Sequence, residues 1–120
     1  MSEKTSSLII QRLGDVRIIE FINTRMVDQV QIDTIARELT ELIEKAGVPK
    51  LVISFDNVTH VSSAMIGVLI KANQQAKAKS KKGGVRLAAL PKDIADVFKL
   101  MKLDKLMKVY KDGDQAALKW

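Results

Sequence analysis

The chain has 120 residues, enough for one domain that buries a core without disulfides or metal. It holds no cysteine and one histidine, His60, which excludes a disulfide framework, thiolate chemistry and a multi-histidine metal cluster. Its net charge of +6 is uneven: residues 1–60 carry seven Lys/Arg against nine Asp/Glu, residues 61–120 carry thirteen against five, and no acid falls between Asp56 and Asp93. Aromatics are few and no nucleic-acid motif accompanies the charge, so the composition favours a solvated lysine-rich face over a patch for nucleic acid, an anionic membrane or an acidic partner. No apolar run approaches the roughly 20 residues that span a bilayer. The polar start, Met1–Ser7, lacks a signal-peptide core. The expected compartment is the cytoplasm.

In chain order, residues 1–6 are expected to fray. Leu8–Leu13 reads as a strand, Gly14-Asp15 as a hairpin turn, and Val16–Ile22 as the returning strand. Asn23-Thr24-Arg25 breaks the pattern. Ile32, Ile35, Ala36, Leu39, Leu42, Ile43 and Ala46 then recur at the 3.6-residue period, predicting a helix capped near Asp28 and ended by Gly47 and Pro49. Leu51–Phe55 is apolar on both alternations, the mark of a strand covered on both faces.

After Asp56-Asn57, a second helix is expected from Ser62 or Ser63 to about Ser80, with Ile66, Leu69, Ile70, Asn73 and Ala76 on its inner face. Asn73 on that face suits a bond to neighbouring backbone. Lys77, Lys79, Lys81 and Lys82 complement the helix C-terminus. Gly83-Gly84 is a turn, Val85–Leu90 a strand, and Pro91 suits the first turn of a third helix whose stripe is Ile94, Val97, Phe98 and Met101. Leu103 and Leu106 are expected under a loop, Met107–Tyr110 as a short edge strand, and Asp112 or Asp114 as cap of a last helix with Ala116, Ala117 and Leu118. The order β-β-α-β-α-β-α-β-α predicts one α/β domain over residues 1–120. Its mixed, mostly parallel sheet would have about five strands, an N-terminal antiparallel hairpin strand and about four helices.

No catalytic constellation emerges. Ser62 and Ser63 lack a nucleophile-elbow setting, and His60 has no evident acidic orienter. The glycines form neither a phosphate loop nor a dinucleotide fingerprint. The scattered aspartates are explained by turns and caps. Serine is a favoured N-cap, and a helix N-terminus also accommodates a phosphate through free N–H groups and partial positive charge. Trp120, Tyr110 and the methionines read as packing.

The run Leu51–Phe55, Val58, Val61-Ser62-Ser63-Ala64-Met65-Ile66-Gly67-Val68-Leu69-Ile70 resembles the STAS domain of bacterial anti-sigma factor antagonists. That family carries a D-S-S/A-G-L-G type of stretch where its second helix begins. The likeness continues through Lys81–Leu87, a Pro-initiated helix, Val97–Leu106 and the closing Ala116-Ala117-Leu118. It spans nearly the whole chain from Gly14. The resemblance implies a non-enzymatic partner-switching protein that uses no cofactor or metal. Its partners would be an anti-sigma factor with serine kinase activity and a PP2C-type phosphatase. It implies no direct nucleic-acid contact, no membrane insertion, and a monomer or weak dimer.

Aligned on Gly67-Val68-Leu69, the family's phosphorylated serine falls on Ser63, with Ser62 as second candidate. The preceding aspartate falls on Ser62, and the family's glycine on Met65. Asp28 stands near the acid of a preceding loop. The resemblance thus puts Asp28, Ser62, Ser63, Met65 and Ile66 on the partner-binding surface, with Met65 adding bulk beside the acceptor. The same fold also serves as a scaffold subunit of stress-sensing complexes and as a soluble regulatory subunit of lipid-transport complexes, in both cases without phosphorylation. These remain the alternative readings.

Overall fold

The computed structural model describes residues 2–5 and 7–120. The first hairpin forms as its turn chemistry dictates. β2 (Leu8–Leu13) pairs antiparallel with β3 (Val16–Phe21) across Gly14, which has φ +62°. Ser2–Lys4, expected to fray, instead forms β1, paired antiparallel with residues 9–11 of β2. This strand gives the backbone groups on the outer edge of β2 a partner. Met1 and Ser6, also within the expected frayed segment, lie outside the described residues.

Past the hairpin the chain alternates strands and helices, with the main-sheet strands parallel. The short β4 (Arg25–Met26) leads into α1 (Gln29–Glu44), then β5 (Lys50–Ser54). The short β6 (His60–Val61) leads into α2 (Ser63–Lys79), then β7 (Gly84–Ala88). α3 (Lys92–Leu100), a 3-10 turn at Leu103–Lys105, β8 (Val109–Tyr110) and α4 (Gly113–Leu118) follow. The main sheet has six strands in the order β1-β2-β3-β5-β7-β8. β3, β5, β7 and β8 are mutually parallel. β4 and β6 form a separate two-stranded parallel ribbon.

β5 sits inside the sheet, as its two-sided apolar pattern requires. Leu51, Ile53 and Phe55 join the larger core with α1, α2 and α3. Val52 faces the other side, with Val16, Ile18, Ala88 and the Ala116/Ala117 pair of α4. Phe55 stacks edge-on against Phe21 and Phe98, with both centroid separations 5.8 Å. Such pairs add about 0.5–1.5 kcal/mol beyond area burial.

Three apolar expectations fail for local reasons. Ala46 lies beyond the end of α1 and is exposed. On α3 only Ile94 and Phe98, one turn apart, reach the core, and Val97 and Met101 face outward. The helix ends at Leu100, and Lys102 takes a left-handed φ of +60°. That turn buries Leu103 but leaves Leu106 outside.

Candidate site at the start of helix α2

The site is built by backbone. In the ribbon, Arg25 pairs with His60 and Met26 with Val61. Beyond it, the Thr59 N–H donates to the Thr24 carbonyl at 2.7 Å and the Ser62 N–H to the Met26 carbonyl at 2.9 Å. Two loops 35 residues apart in sequence are thus tied side by side, and each feeds a helix. Asp28 caps α1, its Oδ2 accepting from the Gln31 N–H at 3.2 Å. Ser62 caps α2, its Oγ accepting from the Met65 N–H at 3.3 Å. The fold therefore brings Asp28 and the two serines to one end of the paired helices.

The adjacent serines differ. Ser62 is half-buried and held by its side-chain cap, its N–H and its carbonyl, which accepts from Ile66. Ser63 is the first residue of α2 and is exposed. Its hydroxyl makes no hydrogen bond among the described residues. The outward positions nearest it on α2 are small and uncharged: Ala64 and Gly67 are also exposed. The first-turn N–H groups of a helix carry partial positive charge, so an anion on Ser63 lies in a favourable field.

Met65 and Ile66 are corrected by the structure. Met65 is fully buried and Ile66 is 5% exposed, and both belong to the main core. The 3.6-residue period turns positions 65, 66, 69 and 72 inward while 63, 64 and 67 face out. Met65 therefore adds no bulk beside Ser63 and offers no contact to a partner. Ile66 instead forms the floor of a cavity of about 220 Å³, with Val61, Val97 and Phe98, flanked by His60 and Asp93.

The sequence missed Val27 and Val30, which flank Asp28 and are 47% and 74% exposed. Their signal was available: neither falls on the stripe that begins at Ile32. Exposed apolar residues beside a helix start mark surface that a partner can cover. His60 does not address either serine. Its Nδ1 lies 2.9 Å from the Thr59 hydroxyl, and an Arg25 guanidinium nitrogen approaches at 3.5 Å. No group of acidic and histidine side chains among the described residues is arranged to hold a metal. No helix among them is long and apolar enough to cross a membrane.

A sheet with this order, a ribbon joining two helix starts and an exposed serine at the second of them define a small α/β domain with a mixed sheet. The STAS domain family profile matches residues 7–116, and the chain belongs to that family. No curated protein matches it. Among solved structures, it is similar to a STAS domain protein described as an anti-sigma-factor antagonist from Planctomyces limnophilus. The TM-score is 0.80 at 18% identity, over 92% of this chain and 95% of the other. An anti-sigma factor antagonist from Mycobacterium paratuberculosis superposes at TM-score 0.78 and 18% identity, over 93% and 91%. The Bacillus cell fate determinant SpoIIAA in its phosphorylated form superposes at 0.71 and 13% identity, over 95% and 100%. At these identities the likeness to solved structures is one of fold.

Proposed function

We propose that this protein is a cytoplasmic, non-enzymatic partner-switching module of the anti-sigma factor antagonist type. It binds an anti-sigma factor with serine kinase activity, is modified on Ser63, and is reset by a PP2C-type phosphatase. One observation carries the choice of residue: Ser63 is exposed with its hydroxyl unengaged, whereas Ser62 is half-buried and already caps α2. The resemblance of the fold to SpoIIAA, a protein solved in phosphorylated form, supports the same reading.

The mechanism is electrostatic. The face around Ser63 offers small side chains and, beside Asp28, the exposed Val27 and Val30. A partner can lie flat on it. Phosphorylation adds about 1.5–2 negative charges. A partner that covers Ser63 must then desolvate a dianion, a large penalty unless it supplies a paired cation. The domain itself gains at the helix start, so binding changes while the fold does not.

The test incubates the protein with a candidate kinase-type anti-sigma factor and ATP, maps the modified residue by fragmentation mass spectrometry, and measures binding of variants. Ser63→Asp is expected to weaken binding at least about tenfold, or 1.4 kcal/mol, and Ser63→Ala to keep it. Equal binding by both variants would show that this residue is not the switch. Mapping the modification to Ser62 would move the acceptor by one position.

A further inference from the structure

From Lys99 to Lys108 the chain buries only Leu103 and Met107. It leaves Leu100, Met101 and Leu106 in solvent, and Leu100, at 83%, is the most exposed large apolar side chain among the described residues. Single apolar side chains on a surface are ordinary. Three within one short turn segment mark surface that another body covers.

The segment holds its shape. α3 ends at Leu100, Lys102 takes its left-handed φ, and the 3-10 turn packs back against α3. The Lys102 N–H donates to the Lys99 carbonyl at 3.0 Å. The Leu106 and Met107 N–H groups both donate to the Leu103 carbonyl, at 3.0 and 2.9 Å. The three apolar side chains therefore stand on closed turns anchored by Leu103 and Met107, not on a loose tail.

Their neighbours are cations. Lys99 precedes Leu100, Lys102 follows Met101, Lys105 precedes Leu106, and Lys108 lies two residues on, all of them exposed. The fold adds Lys77 and Lys82 from the end of α2, which share a cleft of about 260 Å³ with Lys105, Leu106 and Lys108. Against these lysines stand Asp104 and the terminal carboxylate borne by Trp120. Glu44, at the end of α1, is engaged by Lys79, and Asp15 by Lys50. The surface is both apolar and cationic.

That mixture separates two kinds of partner. The covered centre of a protein–protein interface is depleted in lysine, because a folded partner must strip water from each ammonium group. Here a lysine adjoins each of the three apolar side chains, so the patch has no charge-free centre. A lipid surface has no such conflict. Apolar side chains enter the acyl boundary while lysine stems run back to the headgroup layer and keep their charge hydrated.

We propose that this end of the domain docks on an anionic membrane surface, with Leu100, Met101 and Leu106 inserted and the surrounding lysines against the lipid headgroups. The contact is peripheral and reversible, made by a few side chains and the surface potential of the leaflet. Ser63 and Lys77 lie toward opposite ends of α2, so a docked molecule turns Ser63 away from the bilayer. The proposal does not rest on the switch proposed above.

Full-length protein is sedimented with vesicles of phosphatidylcholine alone, and with vesicles that also contain about one third phosphatidylglycerol, at about 0.15 M salt. Saturable binding to the anionic vesicles is expected, at least about tenfold tighter than to the neutral ones. Leu100→Ser with Leu106→Ser should weaken it at least about tenfold, and so should Lys102→Gln with Lys105→Gln. Lys92→Gln with Lys111→Gln, which removes the same charge near the other end of α3, should change it less than about twofold. All six positions are exposed, and an unchanged melting temperature checks that each variant is folded.

The chain has no cysteine, so one introduced cysteine can carry a polarity-sensitive dye. On anionic vesicles its emission should shift to the blue at Leu100→Cys and stay unchanged at Val30→Cys, an exposed site near Asp28. Equal binding to both kinds of vesicle, binding unaffected by the leucine pair, equal weakening by both lysine pairs, or equal dye shifts overturns the proposal. Absence of vesicle binding overturns it too, and capture of an acidic protein through these same side chains would then reassign the surface to a protein partner.

Discussion

The two ends of α2 lie about 25 Å apart at 1.5 Å per residue and are built on opposite plans. At its start, main-chain hydrogen bonds from the ribbon fix the position, and the exposed side chains are Ser63, Ala64 and Gly67. At its end, close glycine packing fixes the position, and the surface is made of long cationic side chains. On α2 the first end exposes only small, uncharged side chains, with Asp28 of the neighbouring loop beside it. The second is lined by Lys77, Lys82, Arg86, Lys105 and Lys108, with no Asp or Glu side chain among its lining residues. One helix thus separates an end whose exposed first turn is small from a basic end, with a core running from Met65 to Ala76 between them.

Five substitutions break or sharpen this contrast. The largest effect is expected for Met65→Ala. Met65 is fully buried, and its truncation should cost about 2–5 kcal/mol in chemical denaturation. Partner binding should fall only as the folded fraction falls. A loss of affinity in fully folded protein would return Met65 to the contact surface.

At the other end, Gly83→Ala drives a Cβ into the Ala76 carbonyl and to 2.9 Å from the Pro49 carbonyl. Both obstacles are backbone, so about 1–3 kcal/mol should be lost in the same assay. The serine pair comes next. Ser62→Ala removes a helix cap and should cost about 1 kcal/mol, whereas Ser63→Ala should stay within about 0.5 kcal/mol. Equal costs would show that the two hydroxyls share the capping role.

The smallest effect concerns the rim near the basic end, where Lys50 Nζ donates to Asp15 Oδ2 at 2.7 Å. That hydrogen bond, with weaker charge attraction, holds the Asp15 carboxyl below its ordinary value of 3.8. A lowered folded-state pKa gives stability that is present above 3.8 and lost as pH falls through the folded value. Asp15 is fully exposed to solvent, so the contribution is small. Asp15→Asn should leave the melting temperature at neutral pH nearly unchanged and flatten its decline in acid. An unchanged acid slope would show that the pair contributes nothing.

Much of this plan was legible in the sequence. The hairpin at Gly14-Asp15, the cap at Asp28, a cap at Asp112 or Asp114 (the structure shows Asp112), the two-sided strand Leu51–Phe55 and the backbone bond of Asn73 all follow from local chemistry or period. What was illegible depends on contacts between distant segments. The ribbon pairs residues 35 apart through two-residue strands too short to show a period. The assignment of Met65 and Ile66 to a partner surface came from aligning a motif, and it failed because the helical phase had already turned those positions inward. The lysines read as solvated surface one at a time. Only the crossing of β7, the 3-10 turn and the end of α2 shows that five cations share one cleft.

The bond from the Ser62 amide to the Met26 carbonyl and that from the Thr59 amide to the Thr24 carbonyl give the molecule an internal gauge. Deuterium uptake at those two amides measures how often the loops part. Anything that seizes residues 22–28 alters uptake at positions 59 and 62, even without touching them.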